Sequence, residues 1–218
     1  MIANIFFQSQ YIISIHIPII LTVSLPVILG WIYPNIFTPV HVIFLELIMG
    51  PTCSIVYENE PMEKNIMLQK PRKMTDTFLN LRELSISIIQ GLMITVGVLF
   101  VYHSAVQDGQ DEQTTRAMVF TTMIFANVFL CLVNRSFVFS MFESIKNRNK
   151  LFPLIIGLTL TLLFAILYIP IFADFFKLSR LNLQELGYSI LIACISVLWF
   201  EIYKWIKFSK IRKENVQH

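Results

Sequence analysis

The first 45 residues contain no Asp, Glu, Lys or Arg, and the first charge in the chain is Glu46. A soluble fold needs charged side chains at far shorter intervals to keep its surface in water; a helix inside a bilayer needs none. A hydrocarbon core ~30 Å thick is crossed by about 20 apolar residues, and lipid offers no partner for an unpaired backbone amide. Six stretches meet that requirement: 11–33, 38–57, 84–102, 117–134, 151–173 and 186–206. Of the 218 residues, 56% are hydrophobic and 14% charged, against roughly 25% charged in an average soluble domain. Seven glycines, nine prolines and three cysteines without a low-complexity run exclude a collagen, a disordered tail and a disulfide scaffold. The expected fold is all-α, a polytopic membrane bundle of six transmembrane helices, with residues 1–218 forming one membrane domain. The first two spans read as a hairpin, in which Pro34 stops one helix and Pro39 starts the next.

The placement of basic residues sets the orientation. Lys and Arg number five in 58–83, one in 103–116, four in 135–150, two in 174–185 and five in 201–218. Alternate loops therefore hold fourteen against three. The positive-inside rule puts the rich loops and both termini in the cytoplasm, so the expected location is the cell membrane, multi-pass, with lipid as the first partner. Glu201, Lys204 and Trp205 at the end of the last span read as an interfacial snorkelling turn. A net charge of +3 spread in this way gives no reason to expect a nucleic-acid partner. The start lacks the basic region and cleavage site of a signal peptide.

No soluble catalytic unit fits between the spans. The longest loop, 58–83, is too short for its own core, and its acidic then basic patterning with Pro61 and Pro71 suits either an ordered connector or a solvated loop. No phosphate-binding G-x-x-x-x-G-K-[ST], dinucleotide fingerprint, H-E-x-x-H or C-x-x-C occurs. Cys53, Cys131 and Cys194 all fall in spans, where packing is the ordinary role. Any chemistry must therefore lie within the membrane.

There Glu46 stands apart. A carboxylate near mid-span costs ~2.5 to 3.5 kcal/mol on insertion scales unless it is protonated or paired. Four residues later Gly50-Pro51 removes a backbone donor, which can free nearby carbonyls as ligands. His16-Ile17-Pro18 in the preceding span repeats an ionisable group beside a helix breaker. Pro18, Gly50 and Pro51 are thus candidate helix breaks, and Glu46 with His16 a candidate proton or cation locus; the pair could equally serve only to lock the hairpin. Asn127, in the fourth span, suits helix packing as well as ion ligation. Gln90, Gly91 and Gly97 read as a close helix contact, His41 and His103 as interfacial, and Phe175 and Phe176 as lipid-facing loop anchors.

Four segments carry a resemblance: Thr38-Pro39-Val40-His41 with Glu46, Gly50-Pro51-Thr52-Cys53-Ser54-Ile55-Val56, Glu58-x-Glu60-Pro61 and Lys70-Pro71-Arg72. They resemble the sixth membrane helix and following loop of cation-transporting P-type ATPases. The likeness is greatest to a bacterial branch related to calcium pumps, with His16-Ile17-Pro18 as the signature of the preceding helix. It runs from about residue 8 to residue 206, so the six spans would correspond to the fifth to tenth helices of that family. The resemblance implies that Glu46 stands at a side-chain ligand position on the sixth helix, His16 at an amide position on the fifth, and Asn127 at or next to the eighth-helix ligand. It also shows departures: Gly50 occupies the place of the key aspartate, Ile19 an acidic position and Met49 an oxygen ligand. Calcium takes about six to eight oxygens, which this set cannot supply, so the cation is left unassigned and no metal ligand set is defined.

Asp-Lys-Thr-Gly-Thr, Thr-Gly-Glu and Gly-Asp-Gly-x-Asn-Asp, which the family uses for phosphorylation, actuation and the hinge, do not occur. ATP and Mg would bind domains outside this sequence, so no cofactor and no ATP hydrolysis by this chain alone are expected. The uncharged first ten residues differ from the polar stalk before the fifth helix, as a truncated or separately encoded piece would. The resulting expectation is a carboxy-terminal transport block, fragment or split half, that works with the amino-terminal half of a P-type ATPase. The alternative is a non-catalytic membrane protein with a structural or partner-packing role. A secondary carrier would call for internal repeats, and none is visible. The charge asymmetry predicts that a cysteine at position 70 reacts with an impermeant thiol reagent only from the cytoplasmic side, and one within 104–115 only from outside; labelling of position 70 from outside contradicts the orientation.

Overall fold

The computed structural model describes residues 2–51, 55–56, 81–134 and 151–214. Among these the only regular elements are helices: α1 (Ile2–Ile28), α2 (Pro39–Pro51), α3 (Leu81–Gln107), α4 (Glu112–Asn134), α5 (Leu151–Tyr168), α6 (Pro170–Phe176) and α7 (Leu183–Glu214). Five are long and apolar enough to cross a membrane, lying within α1, α3, α4, α5 and α7. The expected second span, 38–57, differs. Its described helix has 13 residues, about 20 Å, and a π-helical turn at Ile55–Val56 follows three residues outside the described set. The connector 58–80, the loop 135–150 and Cys53 also lie outside the described residues.

Local chemistry accounts for most helix ends. α1 stops at a left-handed Gly30 (φ +63°), where Gly30 N–H donates to Val27 O and Trp31 N–H to Pro26 O, the paired bonds of a Schellman cap. Glycine thus ends the helix four residues before Pro34, which lies in the following turn. α3 ends the same way at Gly109. Pro39 does begin α2: Thr38 is its cap, and the ring of His41 stands where a capping box places a carboxylate, its Nδ1 accepting the Thr38 backbone N–H at 3.2 Å. The expected 151–173 span is interrupted at Ile169, whose backbone is extended (φ −88°, ψ 118°), because Pro170 disfavours a helical residue before it. α7 opens on a reciprocal capping box, Asn182 with Glu185 at 2.8 and 2.9 Å.

α4 is the centre of the bundle. Within its span 89% of the residues are buried, against 39% or less in the other four, and it packs on α1, α3, α5, α7 and α2. α3 is the second hub. It meets α1 at Gly91, where a Cβ would lie 2.8 Å from Ser14 O and Ile17 Cβ, and α7 at Gly97, where a Cβ would lie 2.9 Å from Ser196 Cβ. The close contact expected from Gln90, Gly91 and Gly97 is therefore real. It also accounts for a proline: Pro18 cannot donate to Ser14 O, and that freed carbonyl is the one that abuts Gly91. α1 nevertheless runs unbroken through Pro18 and Pro26, so the break expected at Pro18 is a missing donor inside a continuous helix and no unwound turn.

Three polar constructions hold α4 to its neighbours. At its start, Arg116 is 4% exposed and its guanidinium donates to Ile36 O (2.8 Å), Lys177 O (3.0 Å) and Asn35 O (3.3 Å) and pairs with Glu112. It thereby ties the α1–α2 turn and the end of α6 to one helix. The turn is further held by Tyr33, whose N–H donates to Tyr102 Oη (2.9 Å) and whose hydroxyl donates to Gln110 O (3.0 Å). Near its end, the amides of Asn134 and Gln90 bond each other reciprocally at 3.0 and 3.3 Å, and Ser14 of α1 donates to Gln90 Oε1 at 3.2 Å. Lys204 completes that end: its Nζ donates to Val133 O at 2.7 Å and pairs with Glu201 at 2.6 Å. Lys204 is buried, which corrects the snorkelling expected of it; an ammonium satisfies a terminal carbonyl and the negative end of the helix dipole together.

Two predictions follow from these contacts. Gly91→Ala should destabilise the protein in detergent although alanine is the better helix former by about 1 kcal/mol, because Ser14 O and Ile17 Cβ of α1 block the added methyl; Gly157→Ala, into open space within α5, should be neutral or stabilising. Arg116→Met removes the donor from one buried carbonyl, Ile36 O, and from two part-buried ones, Asn35 O and Lys177 O, and should cost about 1 to 3 kcal/mol in reversible denaturation. Glu112→Gln, at a half-exposed site, should cost about 1 kcal/mol or less.

Candidate functional site

α1 and α2 bring His16 and Glu46 together. His16 Nε2 lies 3.2 Å from Glu46 Oε1, and the other ring nitrogen, Nδ1, lies 2.7 Å from Ile12 O. A carbonyl only accepts, so Nδ1 carries a hydrogen and donates it along α1. Nε2 can then face a carboxylate oxygen only if one further proton lies between them. The contact therefore holds either an imidazolium with a carboxylate or a neutral imidazole with a carboxylic acid. In both forms the pair is neutral overall and shares one proton, so a monovalent cation displacing that proton would leave the charge of the site unchanged, and a divalent one would raise it by one.

The pair is not enclosed. Its side chains are 42% and 45% exposed, and the residues flanking it on the same two helices, Ile20, Ile43 and Leu47, are among the most exposed apolar residues of the molecule. The described residues cover the opposite sides of α1 and α2, where Tyr11, Ile15, Leu45 and Ile48 are buried. The site thus lies on the rim of the bundle, facing outward within the apolar zone. α2 ends at Pro51, so Gly50-Pro51 stands at the last turn of the described helix, one turn beyond Glu46.

Asn127 is placed elsewhere. It lies on α4, 4% exposed, in a narrow crevice shared with Tyr11, Ile48, Cys131 and Thr159, and its Nδ2 has no partner among the described residues. Ile48 follows Glu46 by two residues, about 200° around α2, so the crevice and the pair occupy different sides of that helix. The structure brings together His16 and Glu46 and leaves Asn127 behind them. No group of three or more His, Cys, Asp or Glu among the described residues could hold a metal ion.

Several placements differ from the sequence reading. His41, in the first turn of α2, is turned into the bundle: it is fully buried, its ring 5.8, 5.3 and 5.6 Å from those of Phe37, Phe120 and Phe176. Phe176 is consequently a core residue, whereas Phe175 is exposed as expected. His103 is exposed. Cys131 is buried and Cys194 half-buried, and neither is in a disulfide among the described residues. Arg116 escaped the sequence reading because it was counted as a loop charge. The four-residue spacing from Glu112 was the available signal.

Comparison with known proteins agrees with this architecture. Residues 34–206 match the family described as Cation transporting ATPase, C-terminus. The chain is similar to Calcium-transporting ATPase 1 of Saccharomyces cerevisiae, 26% identical over 161 residues, which are 73% of this chain and 17% of that protein. It is similar to Calcium-transporting ATPase type 2C member 1 of Mus musculus, 23% identical over 208 residues, 95% of this chain and 22% of the mouse protein. With Calcium-transporting ATPase 1 of Bacillus cereus it shares 23% identity over 215 residues, 90% of this chain and 24% of the relative. The chain thus spans about a fifth of the length of these relatives. Apolar membrane-crossing helices and a family match over most of the sequence lead to one assignment: the chain belongs to the carboxy-terminal membrane domain family of cation-transporting P-type ATPases.

Proposed function

We propose that this chain is the carboxy-terminal transport block of a cation-translocating P-type ATPase of the bacterial, calcium-pump-like kind, acting as a fragment or split half beside an amino-terminal half that supplies phosphorylation, nucleotide binding and actuation. The observation that carries the reading is the His16–Glu46 pair at 3.2 Å on an uncovered rim. Two ionisable groups beside lipid are costly, and they become useful when further helices close over them. In this reading the six spans, with residues 38–57 completing the sixth helix of the whole pump, form the block in the cell membrane with both termini cytoplasmic. His16 and Glu46 exchange their proton for a cation, Asn127 contributes an amide from behind, and Pro18, Gly50 and Pro51 keep nearby carbonyls available. ATP and Mg act only on the missing domains, and the chain alone hydrolyses nothing.

The alternative, a non-catalytic membrane protein that packs against partners, is favoured by one feature: Gly50 replaces the aspartate that the resemblance would place there. The two readings separate at Glu46. An amide there can donate to a neutral His16 ring, so Glu46→Gln keeps a hydrogen bond while removing the mobile proton. The expected result is a thermal midpoint in detergent close to that of the parent, with cation uptake abolished when the chain is reconstituted with an amino-terminal pump half. Uptake unchanged in Glu46→Gln overturns the transport role. A loss of stability in both Glu46→Gln and His16→Ala, each well beyond the ~1 kcal/mol or less of an exposed ion pair, assigns the pair to locking the hairpin.

A further inference from the structure

The end of α7 has more length and more charge than a membrane span uses. The helix runs for 32 residues without a break, about 48 Å, whereas the stretch apolar enough to cross a bilayer is Leu183–Trp205. Nine residues, 206–214, continue the same helix for about 13 Å. They contain Lys207, Lys210, Arg212 and Lys213 against a single acid, Glu214. Lys204, the fifth cation of this end, is withdrawn from the set: it is buried and bonded to Val133 O and Glu201. Beside it Trp205 is 75% exposed, the position of an aromatic residue at the boundary of hydrocarbon and headgroups. Of the five cations that the sequence presents as one basic tail, Lys204 is thus an internal cap, and the other four follow the span on the continuation of its helix.

We infer that the basic end of α7, residues 206–214, is a docking site for anionic phospholipid headgroups. A helix that continues beyond the hydrocarbon carries its next turns toward the headgroup layer, and the nine residues of this continuation hold four cations in sequence. Clusters of at least four cations immediately beyond a span attract anionic lipid by about 1 kcal/mol each, within a Debye length of the surface. Charge complementarity names the occupant, since zwitterionic headgroups offer no net charge to four cations. The inference depends neither on the ion pathway nor on the orientation of the chain, because symmetric lipid mixtures present the same headgroups on both sides.

The test is native mass spectrometry of the full chain released from nanodiscs containing equal phosphatidylserine and phosphatidylcholine. The parent should retain phosphatidylserine preferentially, and less so as salt is raised. Replacing all four cations, Lys207→Gln, Lys210→Gln, Arg212→Gln and Lys213→Gln, should reduce that preference roughly tenfold or more while leaving the thermal midpoint unchanged. Lys204→Met should do the reverse, lowering the midpoint and sparing the preference. If the fourfold variant does not fold, the two paired variants, 207 with 210 and 212 with 213, are read in its place, each expected to lose part of the preference. Equal retention of the two lipids by the parent, or an undiminished preference in the neutralised variants, overturns the inference and assigns these cations to solvent or to an acidic partner segment.

Discussion

The arrangement of this bundle follows from two cations, Arg116 and Lys204, that are buried at the two ends of α4 and must find acceptors on the elements around it. At one end Arg116 spends its donors on three loop carbonyls and on Glu112. At the other, Lys204 reaches from α7 to Val133 O, and Gln90 closes on the terminal Asn134. A buried charge is costly unless it is paired and hydrogen-bonded, so each of these side chains fixes the elements that supply its partners. Arg116 fixes the α1–α2 turn and the end of α6; Lys204 fixes α7; Gln90, through Ser14, fixes α1. Apolar contact alone would select no particular register among such similar surfaces, so these polar bonds are what fix it.

Polarity is distributed by the same rule. The deep contacts between α1, α3 and α4 are made by neutral amides and a hydroxyl, Gln90, Asn134 and Ser14, which need no counter-ion. The ionisable pair, His16 with Glu46, stands on the rim, where it keeps access to whatever borders α1 and α2. Its chemistry is set by a backbone atom: Ile12 O takes the proton of Nδ1, leaving Nε2 to share one proton with the carboxylate. A histidine without that bond could present a ring hydrogen to Glu46 in its neutral form, and the pair would then be an anion in an apolar zone.

The helix ends show how sequence signals compete. Pro34 and Gly30 both mark the end of α1, and glycine wins because its left-handed conformation satisfies two terminal carbonyls, which a proline four residues later cannot reach. Pro170 and Pro18 look alike in sequence yet act differently. Pro170 follows an extended Ile169 and starts a new helix, whereas the carbonyl freed by Pro18 rests against Gly91, and α1 continues.

Charge-free spans, alternate basic loops, the Gly91 contact and the pairing of an ionisable residue on each of the first two helices were legible in the sequence, because each depends on composition, spacing or a chain turn of fixed reach. The burial of His41, the inward course of Lys204, the clamp of Arg116 and the separation of Asn127 from Glu46 were not. Each joins residues far apart in the chain, and a helix that is apolar on every side carries no stripe to say which face meets which neighbour. Only the packed bundle, by choosing which carbonyls are left without water, decided which polar side chains turn inward.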